Sequence, residues 1–213
     1  MRATKQWKYY EWVVLPSAKF THREKGYMLV DVRWPDDKHT NWLQEFRHGT
    51  ASPDRWPAHY LLKGKNQIRW WDNLVSVQND KIVSNKAKAI FEQLAPGETD
   101  FLPVSIQASD GAVRSDYYLV IFRNVLKCMD MKKSVYSMDK DMPGHIMPPY
   151  QPNVVLDTLR IGDSKMFRIS QAPCYMMVRE DVKDAIEKAG LTGFGFYRIK
   201  AKHPDKPHKR SKE

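Results

Sequence analysis

No stretch of this sequence approaches the ~20 consecutive apolar residues that a membrane-spanning helix requires. Its first residues, Met1 to Trp7, are polar where a signal peptide carries an apolar run. The expected location is therefore the cytoplasm. Cysteine is scarce. Cys128 and Cys174 allow at most one bridge and belong to no CxxC pair or zinc-spaced Cys/His cluster, which excludes a disulfide scaffold and a zinc finger. Both are expected to be buried thiols. Reactive motifs are missing as well. There is no GxSxG elbow, no HExxH, no Walker A loop and no GxGxxG after a strand. The seven histidines (His22, His39, His48, His59, His145, His203, His208) place no two at i, i+4 on an expected helix. No catalytic group, cofactor or metal is expected.

Large apolar side chains, by contrast, are plentiful. The 213 residues are 42% hydrophobic and include seven Trp, eight Phe and ten Tyr, enough to build a packed core without staples. The formal charge is +10. Such a balance invites a nucleic-acid reading, because clustered Lys and Arg release counterions from phosphate backbones. The charge is dispersed, however. Residues 200–213 hold six basic and two acidic residues, and the rest of the excess is spread along the chain. This terminal stretch, residues 200–213, is expected to be a disordered basic tail.

Trp7 to Leu15 and Gly26 to Trp34 are rich in aromatic and β-branched residues and flank a polar turn region, a pattern that predicts a hairpin. Residues 35–64 are broken by Pro53, Pro57 and Gly64 and read as a loop-rich cap. Ile68 to Val77 is apolar again without a decisive period. Tyr117 to Met131 and Val154 to Ile169, the latter interrupted at Gly162-Asp163, read as antiparallel strands joined by turns.

Two passages are better specified. Ser84 stands where a helix N-cap accepts from free backbone amides, and Ala87, Ile90, Phe91 and Leu94 follow at i, i+3, i+4, i+7 before Pro96-Gly97. Phe101, Leu102, Val104 and Ile106 then read as a strand. Met176 to Val178 precedes a second helix with Val182, Ala185, Ile186 and Ala189. Gly190 stands at its C-terminal cap, and Phe194, Phe196, Tyr197 and Ile199 follow as a strand. An offset of 95 residues carries one passage onto the other, Val83 to Val178, Phe91 to Ile186 and Phe101 to Phe196, apolar on apolar each time. Two copies are too few for a solenoid. The expected fold is α+β: a largely antiparallel sheet with two similar strand-helix-strand units and a loop-rich N-terminal portion. The expected division is 1–80, an aromatic-rich N-terminal part; 81–199, an α+β domain; and 200–213, the tail.

The connection from Lys132 to Asn153 carries Met138, Met142 and Met147 among Pro143, Pro148, Pro149 and Pro152. Unbranched, polarizable methionines adapt to a partner surface, and aromatic anchors hold it. Tyr136, Met138, Met142, His145, Met147 and Tyr150 are the candidate partner-binding residues. Asp36, Asp37 and His39 form a polar cluster after a strand, but nothing supplies a nucleophile or orienting partner for them.

A family pattern runs through about residues 70–199. It comprises Ile82-Val83-Ser84 and the helix to Leu94, Phe101-Leu102-Pro103-Val104, Tyr117-Tyr118-Leu119-Val120 through Asn124-Val125, Cys128-Met129-Asp130 with Ser134, Phe167-Arg168-Ile169, and Leu191-Thr192-Gly193-Phe194. These residues resemble immunity protein family eleven of bacterial polymorphic toxin systems. The resemblance implies a cytoplasmic protein that occludes a toxin encoded beside it, with no catalysis. Because the chain is basic, electrostatic complementarity implies an acidic contact surface on the toxin, or a toxin whose target is not nucleic acid. The alternative from another class is a basic nucleic-acid-binding protein. Oligomeric state and toxin identity are not encoded in any motif.

Overall fold

The computed structural model of the chain describes residues 6–14, 29–31, 60–64, 70–76, 80–108, 110–138, 146–147 and 154–202. Six strands close a barrel in the order β2-β3-β6-β7-β5-β4, with β2 at Leu29–Asp31, β3 at Tyr60–Gly64, β4 at Asn73–Ser76, β5 at Lys81–Ser84, β6 at Thr99–Gln107 and β7 at Val113–Phe122. Helix α1, Asn85–Leu94, links β5 to β6. A six-stranded sheet runs β11-β14-β1-β13-β12-β8. Its members are β1 at Tyr9–Val14, β8 at Val125–Leu126, β11 at Val155–Asp157, β12 at Met166–Ile169, β13 at Ala172–Arg179 and β14 at Phe194–Lys202. The one-turn α2, Thr158–Ile161, follows β11, and α3, Glu180–Lys188, links β13 to β14. The architecture is α+β with mainly antiparallel pairing, as expected.

The 95-residue offset is a property of the structure. The N-cap positions Ser84 and Arg179, the helix starts Asn85 and Glu180, and both ends of β6 and β14 all differ by 95. The likeness reaches beyond the helices. Tyr117 on β7 lies opposite both Ser84 and Val104, and Tyr9 on β1 lies opposite both Arg179 and Ile199, the same positions displaced by 95. On the outer flanks, β3 runs parallel to β6 as β11 does to β14, and β2 runs parallel to β4 as β8 does to β12. The barrel order β2-β4-β5-β7-β6-β3 is therefore repeated strand for strand as β8-β12-β13-β1-β14-β11. A bridge from Met129 to Leu156 draws the outer strands of the second copy together where β2 and β3 close the first.

This arrangement corrects two expectations. Tyr9–Val14 does not form a hairpin with the next strand, because both its edges are occupied by β13 and β14. A strand-helix-strand unit leaves a strand-wide gap between its two strands. In the first copy the hairpin strand β7 fills it. In the second the N-terminal strand β1 fills it. The strands in Tyr117 to Met131 and Val154 to Ile169 are likewise not all antiparallel, since β8 and β11 each join the sheet edge in parallel.

Strand alternation assigns the second sheet's two faces to different cores. Tyr9, Phe167, Met177 and Ile199 face one cluster with Cys128, Met129 and Leu156. Trp12, Met166, Met176 and Val178 face the other, which also receives Val83, Val120 and Phe122 from the barrel. The helices cover that shared core. Ala87 and Phe91 on α1, and Val182 and Ile186 on α3, are buried there one turn apart. Local chemistry sets the helix ends. The Ser84 hydroxyl caps α1 through the Ala87 amide, as its position predicts. Helix α3 has no side-chain cap but places Glu180 and Asp181 in its first turn, where carboxylates complement the helix dipole.

The copies dock reciprocally. The loop after α3 meets the start of β4: the Asn73 amide donates to the Thr192 carbonyl at 3.1 Å and Asn73 Nδ2 to the Gly193 carbonyl at 2.9 Å. The loop after α1 meets the start of β12: Glu98 Oε2 accepts from the Lys165 and Met166 amides at 2.9 and 2.6 Å. Burial alone would raise the Asp72 carboxyl pKa. Hydrogen bonds from the Thr192 amide and from the Ser84 and Thr192 hydroxyls outweigh it and hold the value below normal.

Candidate functional site

The expected partner-binding connection springs from a clamped base. Asp130 Oδ1 accepts from the Lys132 and Lys133 amides, and the Ser134 amide donates to the Asp130 carbonyl, turning the chain. Ser134 Oγ then accepts from the Val155 amide at 2.9 Å and donates to the Val155 carbonyl. Ser134 and Val155 are thus fastened together, and the residues between them form an excursion from the second copy. Within it β9, Ser137–Met138, pairs antiparallel with β10, Ile146–Met147, bringing Met138 opposite Ile146 and Met147 opposite Ser137.

The candidate residues separate on this frame. Tyr136 is half-buried against the core beneath the sheet and anchors the excursion. Met138 is 54% exposed and Val135 56% exposed, among the largest apolar exposures of the described residues. Met147 sits on the paired strand. Met142, His145 and Tyr150 lie outside the described residues, as do Asp36, Asp37 and His39. The chain lengths match between the copies: 28 residues, 127–154, separate β8 from β11, and 28, 32–59, separate β2 from β3.

Between the copies lies a buried polar cluster that no local sequence pattern marks. Arg168 on β12 is 3% exposed, stands 3.8 Å from Asp80 and donates to the Pro173 carbonyl at 2.8 Å. Lys81 on β5 is also buried. Desolvation, helped by the Arg168 charge and opposed by Glu11, pushes its pKa down to about 8. Burial pushes the Glu11 carboxyl up. A lysine whose folded-state pKa lies below its unfolded value contributes stability above the unfolded value, and that contribution is lost as pH falls through the folded one. Lys81→Met is therefore expected to stabilise the protein at pH 7. The difference from wild type should shrink by about 3 kcal/mol between pH 8 and 10.5 in chemical denaturation. A pH-independent difference would show that Lys81 stays charged throughout.

The thiols do not share one environment. Cys128 is buried, which pushes its pKa up to about 12, whereas Cys174 is exposed, contrary to expectation. The Cys174 position on β13 lies before the stretch that is covered on both faces. Among the described residues no group of three or more His, Cys, Asp or Glu is placed to hold a metal ion. No described helix is long and apolar enough to cross a membrane.

One signal in the sequence is masked when Lys200 onward is assigned to a tail. Arg198, Lys200 and Lys202 recur at alternate positions, a period that places basic side chains on one face of a strand. Strand β14 runs through Lys202, so the first residues of that stretch belong to the sheet. No curated protein matches the chain. Residues 14–201 match the model of an immunity protein family (Imm11).

Proposed function

Because the chain belongs to the immunity protein family Imm11, we propose that it binds a cognate toxin in the cytoplasm of the producing cell and neutralises it by occlusion, without catalysis. The extent of the family match carries this reading. It runs from Val14, the last residue of β1, into β14, so it takes in both strand-helix-strand units and reaches well before residue 70, where the residue-level resemblance starts. An immunity function on a two-copy scaffold needs a rigid body that presents a contact surface. The clamped excursion offers one, with Val135 and Met138 exposed and Tyr136 rooted in the core. Methionine is flexible and polarizable enough to fit a partner surface, and tyrosine is among the residues that anchor interfaces.

The test is co-expression with the polymorphic toxin encoded beside the chain. Wild-type protein is expected to restore growth and to elute with the toxin as a stoichiometric complex. Val135→Asp with Met138→Asp should weaken that complex by about 10-fold or more while leaving the unfolding transition intact. Absence of protection together with absence of a complex overturns the function. Full protection by the double variant removes the excursion from the interface.

A further inference from the structure

A groove of about 430 Å³ opens beside the start of β1 and the end of β14, and Lys8, Arg198 and Lys200 line it together with Trp7. All three basic residues are exposed. Extending the β1–β14 register by one residue sets Lys8 beside Lys200, with Arg198 opposite Tyr10. Arg198 is close enough to repel the Lys8 ammonium. Lys8 is paired with Glu180 on α3, whereas neither Arg198 nor Lys200 forms an ion pair with another described residue. Like charges across neighbouring strands destabilise a sheet.

The duplication supplies an internal control for whether the scaffold needs this charge. The first-copy equivalents of Arg198, Lys200 and Lys202 are Pro103, Ser105 and Gln107, and the equivalent of Lys8 is Asp116. The same strands pair in the same register there from Thr99 to Val104, with Pro103 opposite Tyr118, before a bulge that sets Arg114 opposite Ile106. The basic pair Arg198 and Lys200 is thus particular to the second copy, where Arg198 repels a Lys8 ammonium that Glu180 holds charged. An anionic partner relieves that repulsion on binding.

We propose that this groove receives an acidic segment of the toxin, whose carboxylates pair with Arg198 and Lys200. The proposal rests on the toxin-binding function above and locates part of the contact. Nucleic acid is the less suitable anion. Single-stranded binding sites use open aromatic rings on which bases stack. The groove's one aromatic ring, Trp7, is covered by the Arg179 guanidinium at 4.1 Å from its centre and packs against the core. Sequence-neutral protein contacts of this kind act mainly on association rate and salt dependence.

Binding to the adjacent toxin is measured by surface-immobilised kinetics at two salt concentrations. The proteins compared are wild type, Arg198→Glu/Lys200→Glu, Arg198→Gln/Lys200→Gln, and a charge-matched control, Lys86→Glu/Lys188→Glu, on the helices. The groove reversal is expected to weaken binding at least about tenfold, chiefly through slower association, and to flatten the salt dependence. The glutamine pair should fall in between and the control should bind like wild type. Each variant's unfolding midpoint confirms that the fold is intact. Wild-type-like binding by the groove reversal, or an equal loss in the control, overturns the groove while leaving toxin binding in place. A 20-nucleotide single-stranded probe is run in parallel. Loss of its binding by the groove variants, with toxin affinity unchanged, overturns the proposal in favour of nucleic acid. If wild type binds no toxin, the function and the groove assignment fall together.

Discussion

Replacing Trp12 with alanine is expected to lower the unfolding free energy by about 3–5 kcal/mol, a fall of the melting temperature on the order of 10 °C. Trp12 is 1% exposed in the core shared by the two copies. Its ring stacks on Phe194 at 5.5 Å and lies 5.2 Å from Phe91 and 6.1 Å from Phe122. These partners come from β14, α1 and β7, so the cavity would open where both copies and a helix meet. The equivalent position in the first copy is Val120, which lies in the same core. The cluster accommodates one large ring and one small side chain, and neighbours shaped around the ring cannot collapse into its place without losing their own contacts. Equilibrium urea denaturation checks this. A loss below about 1 kcal/mol would mean that β1 contributes little beyond its backbone hydrogen bonds.

Gly193→Ala is expected to cost about 2–4 kcal/mol, although glycine and alanine differ by one methyl group. Gly193 has φ of +81°, which L side chains rarely adopt, and a Cβ there would lie 2.4 Å from the Asn73 carbonyl oxygen and 3.0 Å from Trp71 Cβ. The obstacle is backbone of the other copy, which cannot move without loosening the Asn73 bonds that dock the loop. Gly190 provides the contrast. It has φ of +65°, but a Cβ added there would meet nothing within 4 Å, so Gly190→Ala should cost only ~1 kcal/mol from backbone strain. Equal losses at the two glycines in thermal unfolding would show that strain alone, and not the close approach between copies, determines the effect at Gly193.

The duplication is legible in the sequence because its signals are local. Apolar residues one helical turn apart and a following strand are written within about ten residues in both units, with a capping serine in the first, so both helices and the offset of 95 stand in the sequence. The cap glycine at 190 is equally local. The excursion's exposed methionine and its rooted tyrosine are visible as residue types, but not their separate roles. Those depend on which side of the strand meets the core.

Residue order alone thus establishes the α+β composition, the two helices and the repeated strand-helix-strand unit. It does so because helical period, strand alternation and capping chemistry act over short distances. Two features emerge only once the chain is folded: β1 completes the second copy, and each copy's helix-end loop docks on the other. Each of those outcomes depends on pairing across more than sixty residues. An apolar, alternating strand can pair with any open edge, and the edge it takes is settled by which gaps the rest of the fold leaves open.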